Sequence, residues 1–285
     1  RYLEGTLPNG LAFARNGDIL ISNFGTDRLE IMTRNGDSKV LADSIEGEPI
    51  GKVNFVLRDS KDRIWITIST KIKNWMHALR PDLPDGYIAR YIDGKFRIVA
   101  EGFHFTNEIR MDAREEYLYV AETTGGCISR LRVNDDGSLG EREIFGPSSL
   151  GKGAWPDGIA FDSLGNLWGT MVYSDKLFAL TPQGDLRLIL DERDSKKVGD
   201  LEKAFFQNQV NKDWTGHRTM DGERHFWRVR PADDLHRLLE GPANPLFSRT
   251  CTWFADGALE RRHPITCANH SRAGKGSRSA TLLTV

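Results

Sequence analysis

Four oxygen-bearing side chains recur along the chain at nearly regular intervals: Asn9, Asn54, Asn107 and Asp157. The intervals are 45, 53 and 50 residues. Each residue opens a similar string: NGLAFARNGDILIS, NFVLRDSKDRIWIT, NEIRMDAREEYLYV and DGIAFDSLGNLWGT. Brought to one place, three amide carbonyls and a carboxylate make the oxygen-rich ring that a hard cation such as calcium prefers. Asn and Asp also begin tight turns for local reasons. That accounts for a single copy but not for four copies in phase.

The elements that must position this ring follow from the repeat. Ten residues after each leading residue comes an apolar one: Ile19, Ile64, Tyr117 and Leu167. Two further strand-like runs follow in every copy, split at Asn35-Gly36, Asp93-Gly94, Asp136-Gly137 and around Gly184. Apolar residues at every second position with such punctuation read as antiparallel hairpins. Four strands recurring about every 50 residues are the pattern of β-propeller blades. Blades are expected near 7–42, 54–100, 107–145 and 157–190, with inner strands that bring the four polar residues to one height near a central axis. A two-sheet sandwich with long loops leaves their fixed phase unexplained. Helical periodicity is nearly absent before residue 200, and a short helix is expected around Leu201–Gln209.

Composition narrows the function classes. The chain has 285 residues, 39 Lys plus Arg, 40 Asp plus Glu and a net charge of −1. That balance gives no basic footprint for nucleic acid. No apolar run approaches the roughly 20 residues needed to span a bilayer. The opening RYLEGTLPNG has neither the basic start nor the apolar centre of a secretory leader. The chain is therefore read as cytoplasmic, and, lacking an initiator Met, as beginning inside a longer protein. Cys127, Cys251 and Cys267 are odd in number and far apart, which argues against a disulfide scaffold or zinc knuckle.

The motifs LPNGLAF with NGDILISNFG, KVNFVLRDSKDRIWIT, FHFTNEIRMD with YLYVAETTG, and WPDGIAFDSLGNLWGT resemble the gluconolactonase/regucalcin (senescence-marker) family, which includes diisopropyl-fluorophosphatase-like members. The resemblance covers roughly residues 1–212. It implies an all-β, six-bladed propeller and a metal-dependent hydrolase, mostly of lactones, with calcium a common metal. On that resemblance Asp157 is the axial aspartate that binds the metal and serves as general base or nucleophile. Asn107 is a direct metal ligand, and Asn54 helps hold the metal or its water. Lys52 stands where some members carry a substrate-binding Arg; a solvated lysine is the alternative. A metal polarises a lactone carbonyl and lowers the pKa of its bound water. A carboxylate beside it takes the proton or attacks directly, and the residues do not decide between these. The long stretch KIKNWMHALRPDLP between Thr70 and Asp85 is placed to cover the channel mouth, where Trp75, His77 and Arg80 would touch substrate; alternatively Trp75 and Met76 only pack the loop.

Two departures from the family stand out. Its first blade carries a glutamate ligand in an EGP-type motif. Asn9 lies one blade before Asn54, not two, so LPNGLAF resembles the second blade. Most of blade one and its glutamate are therefore expected to be missing. From Asp213 onward the repeat vanishes, and five of the seven histidines fall there without ligand-like spacing. Read one nucleotide out of phase, Thr219–Val229 and Leu246–Glu260 yield strings resembling the family's sixth blade and closing strand. Met220-Asp221 forces Trp in that phase, and Trp227-Arg228 and Trp253-Phe254 each force Gly. Residues 213–285 therefore read as a frameshift product in place of blade six.

The leading expectation is a lactonase dependent on calcium or another divalent cation, with a small-molecule lactone as its partner and no nucleic acid or membrane. The chain as written is expected to have little or no activity. The alternatives are a non-catalytic, ligand-binding propeller and a strictosidine-synthase-like propeller; the polar ring speaks against the latter.

Overall fold

The computed structural model describes residues 5–210. The divergent tail from Asp213, with its reading as a frameshift product, lies outside the described residues. Within them the chain is all-β apart from one helix and one 3-10 turn. Four antiparallel sheets follow one another, each a four-stranded meander. The first comprises β1 (Pro8–Phe13), β2 (Ile19–Asn23), β3 (Arg28–Met32) and β4 (Ser38–Ala42). A small hairpin, β5 (Ser44–Ile45) and β6 (Glu48–Pro49), precedes the second. That sheet holds β7 (Val53–Arg58), β8 (Ile64–Ile68), β9 (Gly86–Ile92) and β10 (Lys95–Phe103). The third holds β11 (Thr106–Met111), β12 (Tyr117–Glu122), β13 (Cys127–Val133) and β14 (Leu139–Ile144). The fourth holds β15 (Trp155–Phe161), β16 (Leu167–Val172), β17 (Lys176–Leu180) and β18 (Leu186–Asp191). These are the four expected blades, and Ile19, Ile64, Tyr117 and Leu167 each begin a second strand.

The period-2 pattern explains how the sheets pack. Leu20 and Leu29 of the first sheet meet Val56, Ile66 and Ile68 of the second. Phe55, Trp65 and Ile88 of the second meet Ile109, Leu118 and Val120 of the third. Tyr119, Ile128 and Phe145 of the third region meet Ile159, Leu167 and Phe178 of the fourth. Each fully buried Leu, Ile or Phe contributes about 1.5–3 kcal/mol by leaving water. On β1 the same alternation leaves Leu11 and Phe13 exposed at 59% and 68%, because no sheet packs on that face among the described residues. In two blades an aspartate at the end of the inner strand ties the hairpin: Asp59 accepts from the Trp65 indole at 2.9 Å, and Asp162 does so from Trp168 at 2.9 Å. At the Asp93-Gly94 turn both residues have positive φ (48° and 85°), as a tight two-residue hairpin of matching twist requires.

The helix α1 spans Ser195–Phe206, starting earlier and ending earlier than the expected Leu201–Gln209. Its start is fixed by Asp194, whose side chain accepts from Lys196 N and Lys197 N, a capping contact independent of apolar spacing. Its end is marked by Asn208 at φ 55°. Val198, Leu201, Ala204 and Phe205 form its buried face.

Candidate functional site

The ring residues sit on the inner strands β1, β7, β11 and β15, which neighbour one another in that order. Every inner strand slips register at its ring residue: between Pro8 and Leu11, Val53 and Phe55, Thr106 and Ile109, and Pro156 and Ile159. Such bulges re-aim a side chain out of the ladder. Here they free Asn9, Asn54, Asn107 and Asp157 from the pairing pattern.

Two pairs form. Asn9 Nδ2 donates to Asn54 Oδ1 at 3.1 Å, and Asn107 Nδ2 donates to Asp157 Oδ1 at 2.7 Å. Behind them lie two equivalent relays into the next blade. Asn54 Nδ2 donates to Ser69 Oγ at 3.0 Å, and that hydroxyl donates to Thr106 O at 2.7 Å. Asn107 Nδ2 donates to Thr123 Oγ1 at 3.0 Å, which donates to Pro156 O at 2.8 Å. A second set of hydroxyls joins the blades beneath the ring. Ser22 Oγ donates to Asn54 O at 2.7 Å and accepts from Gly10 N at 2.7 Å. Thr67 Oγ1 donates to Asn107 O at 2.8 Å and accepts from Phe55 N at 3.0 Å. Sequence reasoning passed over these hydroxyls. Their signal is positional, since Ser22 and Thr67 each fall 13 residues after a ring residue.

Asn54 and Asn107 are 3% and 5% exposed, while Asp157 is half-buried and Asn9 exposed. Burial pushes the Asp157 carboxyl above the usual carboxylate value, and the Asn107 amide pulls it part of the way back. Glu108 behaves likewise. Burial raises it, Arg110 at 3.0 Å and the Ile159 N–H at 3.1 Å lower it, and Asp157 adds to the rise. The donor chemistry fits a hard cation. With the Asn107 nitrogen committed to Thr123 and Asp157, its carbonyl oxygen is the end left for a ligand; Asn54 commits its nitrogen to Ser69, and its carbonyl oxygen, which accepts from Asn9, keeps one lone pair for a ligand. Among the described residues no cluster of three or more His, Cys, Asp or Glu gathers to hold a metal; a cation at this place would have to be held largely by amide oxygens with the Asp157 carboxylate.

Lys52 is neither solvated nor free. It is 6% exposed, its Nζ lies 2.7 Å from Asp27 Oδ1, and it stands 5.6 Å from the Phe24 ring centre. The approach to Asp27 is ionic, without the geometry of a directed hydrogen bond. The residues between Thr70 and Asp85 contain the 3-10 turn Trp75–Ala78. Trp75 is half-buried, its ring 5.7 Å from Phe24 and 6.2 Å from Phe105. His77 is exposed, 3.4 Å from the Asn74 amide. Arg80 grips Asp82 with two bonds of 2.6 Å. Arg80 holds the Asp82 carboxyl below its usual value, with a smaller share from the Asn208 amide just past α1. Trp75, Met76, Ala78 and Leu79 join Phe24, Phe105, Trp155 and the buried face of α1 in one apolar cluster. The loop therefore packs on the ring-bearing end of the strands. Trp75 packs between Phe24 and Phe105, His77 is exposed, and Arg80 is half-buried and paired with Asp82.

Comparison with known proteins bears on this arrangement. Residues 2–191 match the SMP-30/Gluconolactonase/LRE-like region. The chain is 27% identical over 103 residues to a 6-deoxy-6-sulfogluconolactonase of Pseudomonas putida, covering 35% of this chain and 34% of that protein. A gluconolactonase from Xanthomonas campestris superposes with a TM-score of 0.53 at 23% identity, over 64% of this chain and 61% of that one. The calcium-binding protein regucalcin from Agrobacterium tumefaciens gives 0.53 at 19% identity, over 64% and 59%. These structural likenesses establish the fold. The chain spans less than two thirds of the length of each of these relatives. Among the described residues no helix is long and apolar enough to cross a membrane.

Proposed function

The chain belongs to the SMP-30/Gluconolactonase/LRE-like family, and from that premise we propose that it hydrolyses lactones at the ring formed by Asn54, Asn107 and Asp157, with calcium held there. Membership supports lactone hydrolysis as the family's chemistry. The observation that carries the reading to this chain is the 2.7 Å contact between the Asn107 amide and the Asp157 carboxylate, both set free of the ladder by bulges. A bound divalent cation supplies polarisation of the lactone carbonyl and a lower pKa for water. The residues do the rest. Asn107 fixes the Asp157 carboxylate by one oxygen and leaves the other for reaction. Burial raises the affinity of that carboxylate for a proton, which suits it to general-base work. Asn54, anchored through Ser69, presents its carbonyl to the cation or its water. Lys52, two residues before Asn54, is held against Asp27.

Six blades are part of this proposal, as is the origin of residues 213–285 in a shifted reading frame, which the coding DNA would decide. Asp157 is the only family-matched acid, so calcium affinity and turnover should be low. A non-catalytic ligand-binding role is the alternative, favoured by that same shortage of charge. The test is a thermal melt with and without calcium, together with hydrolysis of a δ-lactone with and without chelator. Calcium should raise the melting temperature by binding the native state, and Asp157→Ala should remove the shift. Chelator should abolish the slow turnover. Melting that ignores calcium, together with turnover that ignores chelator, would refute the reading. A calcium shift without turnover would favour the binding role.

A further inference from the structure

Beneath the ring, buried hydroxyls join one sheet to the next. Ser22 joins the first to the second through Asn54 O, and Thr67 joins the second to the third through Asn107 O. Each also takes the N–H that follows a ring residue, Gly10 N or Phe55 N. The residue in the same phase of the third sheet, 13 after Asn107, is Val120, which has no hydroxyl to offer the Asp157 strand. A carboxylate makes a join there. Glu108 Oε2, from β11, accepts from Ile159 N of β15 at 3.1 Å. Pairing of β15 with β16 breaks after Pro156↔Met171 and resumes at Ile159↔Gly169. Glu108 therefore holds the residue at which the ladder resumes, two positions beyond Asp157.

The carboxylate is itself fixed from the other side. Arg110 Nη2 lies 3.0 Å from Glu108 Oε2, and Arg110 Nη1 donates to Ile109 O at 2.9 Å. The guanidinium carbon stands 4.4 Å from the centre of the Phe55 ring, and Phe55 directly follows Asn54. Cation and ring face attract at that separation. A strap thus runs from Phe55 through Arg110 and Glu108 to Ile159, with its ends close in sequence to Asn54 and Asp157. Glu108 has only 23% of its side chain exposed. A hydrogen bond to an ionised acceptor is stronger than one between neutral groups, so this carboxylate suits the task of pinning a backbone N–H.

We propose that Glu108 is a positioning residue: its bond to the Ile159 N–H holds the bulge that aims the Asp157 carboxylate at the Asn107 amide. The effect on turnover rests on the lactonase reading, whereas the aim of Asp157 is measured without turnover.

The full chain is compared with Glu108→Ala, Glu108→Gln and Arg110→Leu by two measurements. The first is the side-chain amide resonance of Asn107 in isotope-labelled protein without added calcium. Asp157→Ala marks where that signal lies once its acceptor is gone. The second is chelator-sensitive hydrolysis of a δ-lactone. Glu108→Ala should move the Asn107 signal toward the Asp157→Ala position. It should lower kcat by about ten- to hundredfold, with KM little changed. Glu108→Gln keeps an oxygen that accepts from Ile159 N, so it should leave the signal near its native place and retain most of kcat. Arg110→Leu, which keeps the carboxylate but releases it from its partner, should fall between. It carries the comparison if Glu108→Ala does not fold. A glutamate serving only the stability of the fold would lower the melting temperature and leave both the Asn107 signal and kcat in place. That result would overturn the proposal, as would a Gln variant no better than Ala. Absent turnover in the unsubstituted protein would count against the lactonase reading alone, and the Asn107 signal would then decide the role of Glu108.

Discussion

Thr67→Val replaces a fully buried hydroxyl with a methyl of nearly the same shape, so any effect is that of the lost hydrogen bonds. In the native chain Thr67 Oγ1 accepts from Phe55 N at 3.0 Å and donates to Asn107 O at 2.8 Å. Both partner residues are buried, at 7% and 5% exposed, so water does not readily replace the hydroxyl. Each orphaned backbone group costs about 1–3 kcal/mol. Allowing for partial relaxation, the variant should lose about 2–4 kcal/mol. For a folded unit of this size that lowers the melting temperature by roughly 5–15 °C. Thr67→Ser keeps the hydroxyl and loses one buried methyl, about 1 kcal/mol. Urea unfolding should show the midpoint falling in the order native, Ser, Val with an unchanged slope. Because Asn107 O is one of the two orphans, the Val variant should also need more calcium for the same thermal shift. A Val variant as stable as the Ser variant would refute the idea that these hydroxyls fasten one inner strand to the next.

Asp157→Asn should end chelator-sensitive turnover and the calcium-dependent rise in melting temperature. The same change should raise the melting temperature of the calcium-free protein at pH 7. The folded-state value of Asp157 lies above the ordinary one, so its ionisation costs stability once pH passes the unfolded value; a less stable calcium-free variant would contradict this. Cys127, buried and pushed up to about 12 by burial first and by the Glu122 charge second, should resist iodoacetamide at pH 8 in the native protein and label fully in urea. Peptide mapping reads this directly, and native labelling at the rate of a free thiol would show the site is open. The same raised value means that stability falls as pH climbs through the ordinary thiol value toward 12, a loss that Cys127→Ser should lessen in melts between pH 8 and 10.

Much of the frame was legible because its cause is local. Leu167 begins β16 because the turn before it is set by Gly165 and its neighbours, and the same local grammar placed Ile19, Ile64 and Tyr117. Strands of two residues have no period, so β5 and β6 left no trace in the pattern. The helix was displaced because Asp194, a polar cap, decides its start, whereas the apolar spacing becomes visible only further on. The ring residues were legible by their phase. Their surroundings were not, because they come from distant parts of the chain. Lys52 meets Asp27 across 25 residues, and Trp75 meets Phe24 and Phe105 from a loop without repeat. Nor does any single strand announce that its register will slip at Asn54 or Asp157.

Those slips bear on how such a molecule can be altered over generations. Where the pairing skips a step, the flanking ladder asks little of the side chain at that point. The four positions behave as sockets of one pattern, filled here with three amides and one acid. A heritable change in a socket tries out new reactivity while the surrounding walls stand. The cost of an unsuccessful trial is then a lost reaction and not a lost fold, and different reactivities can be sampled one socket at a time on an inherited frame.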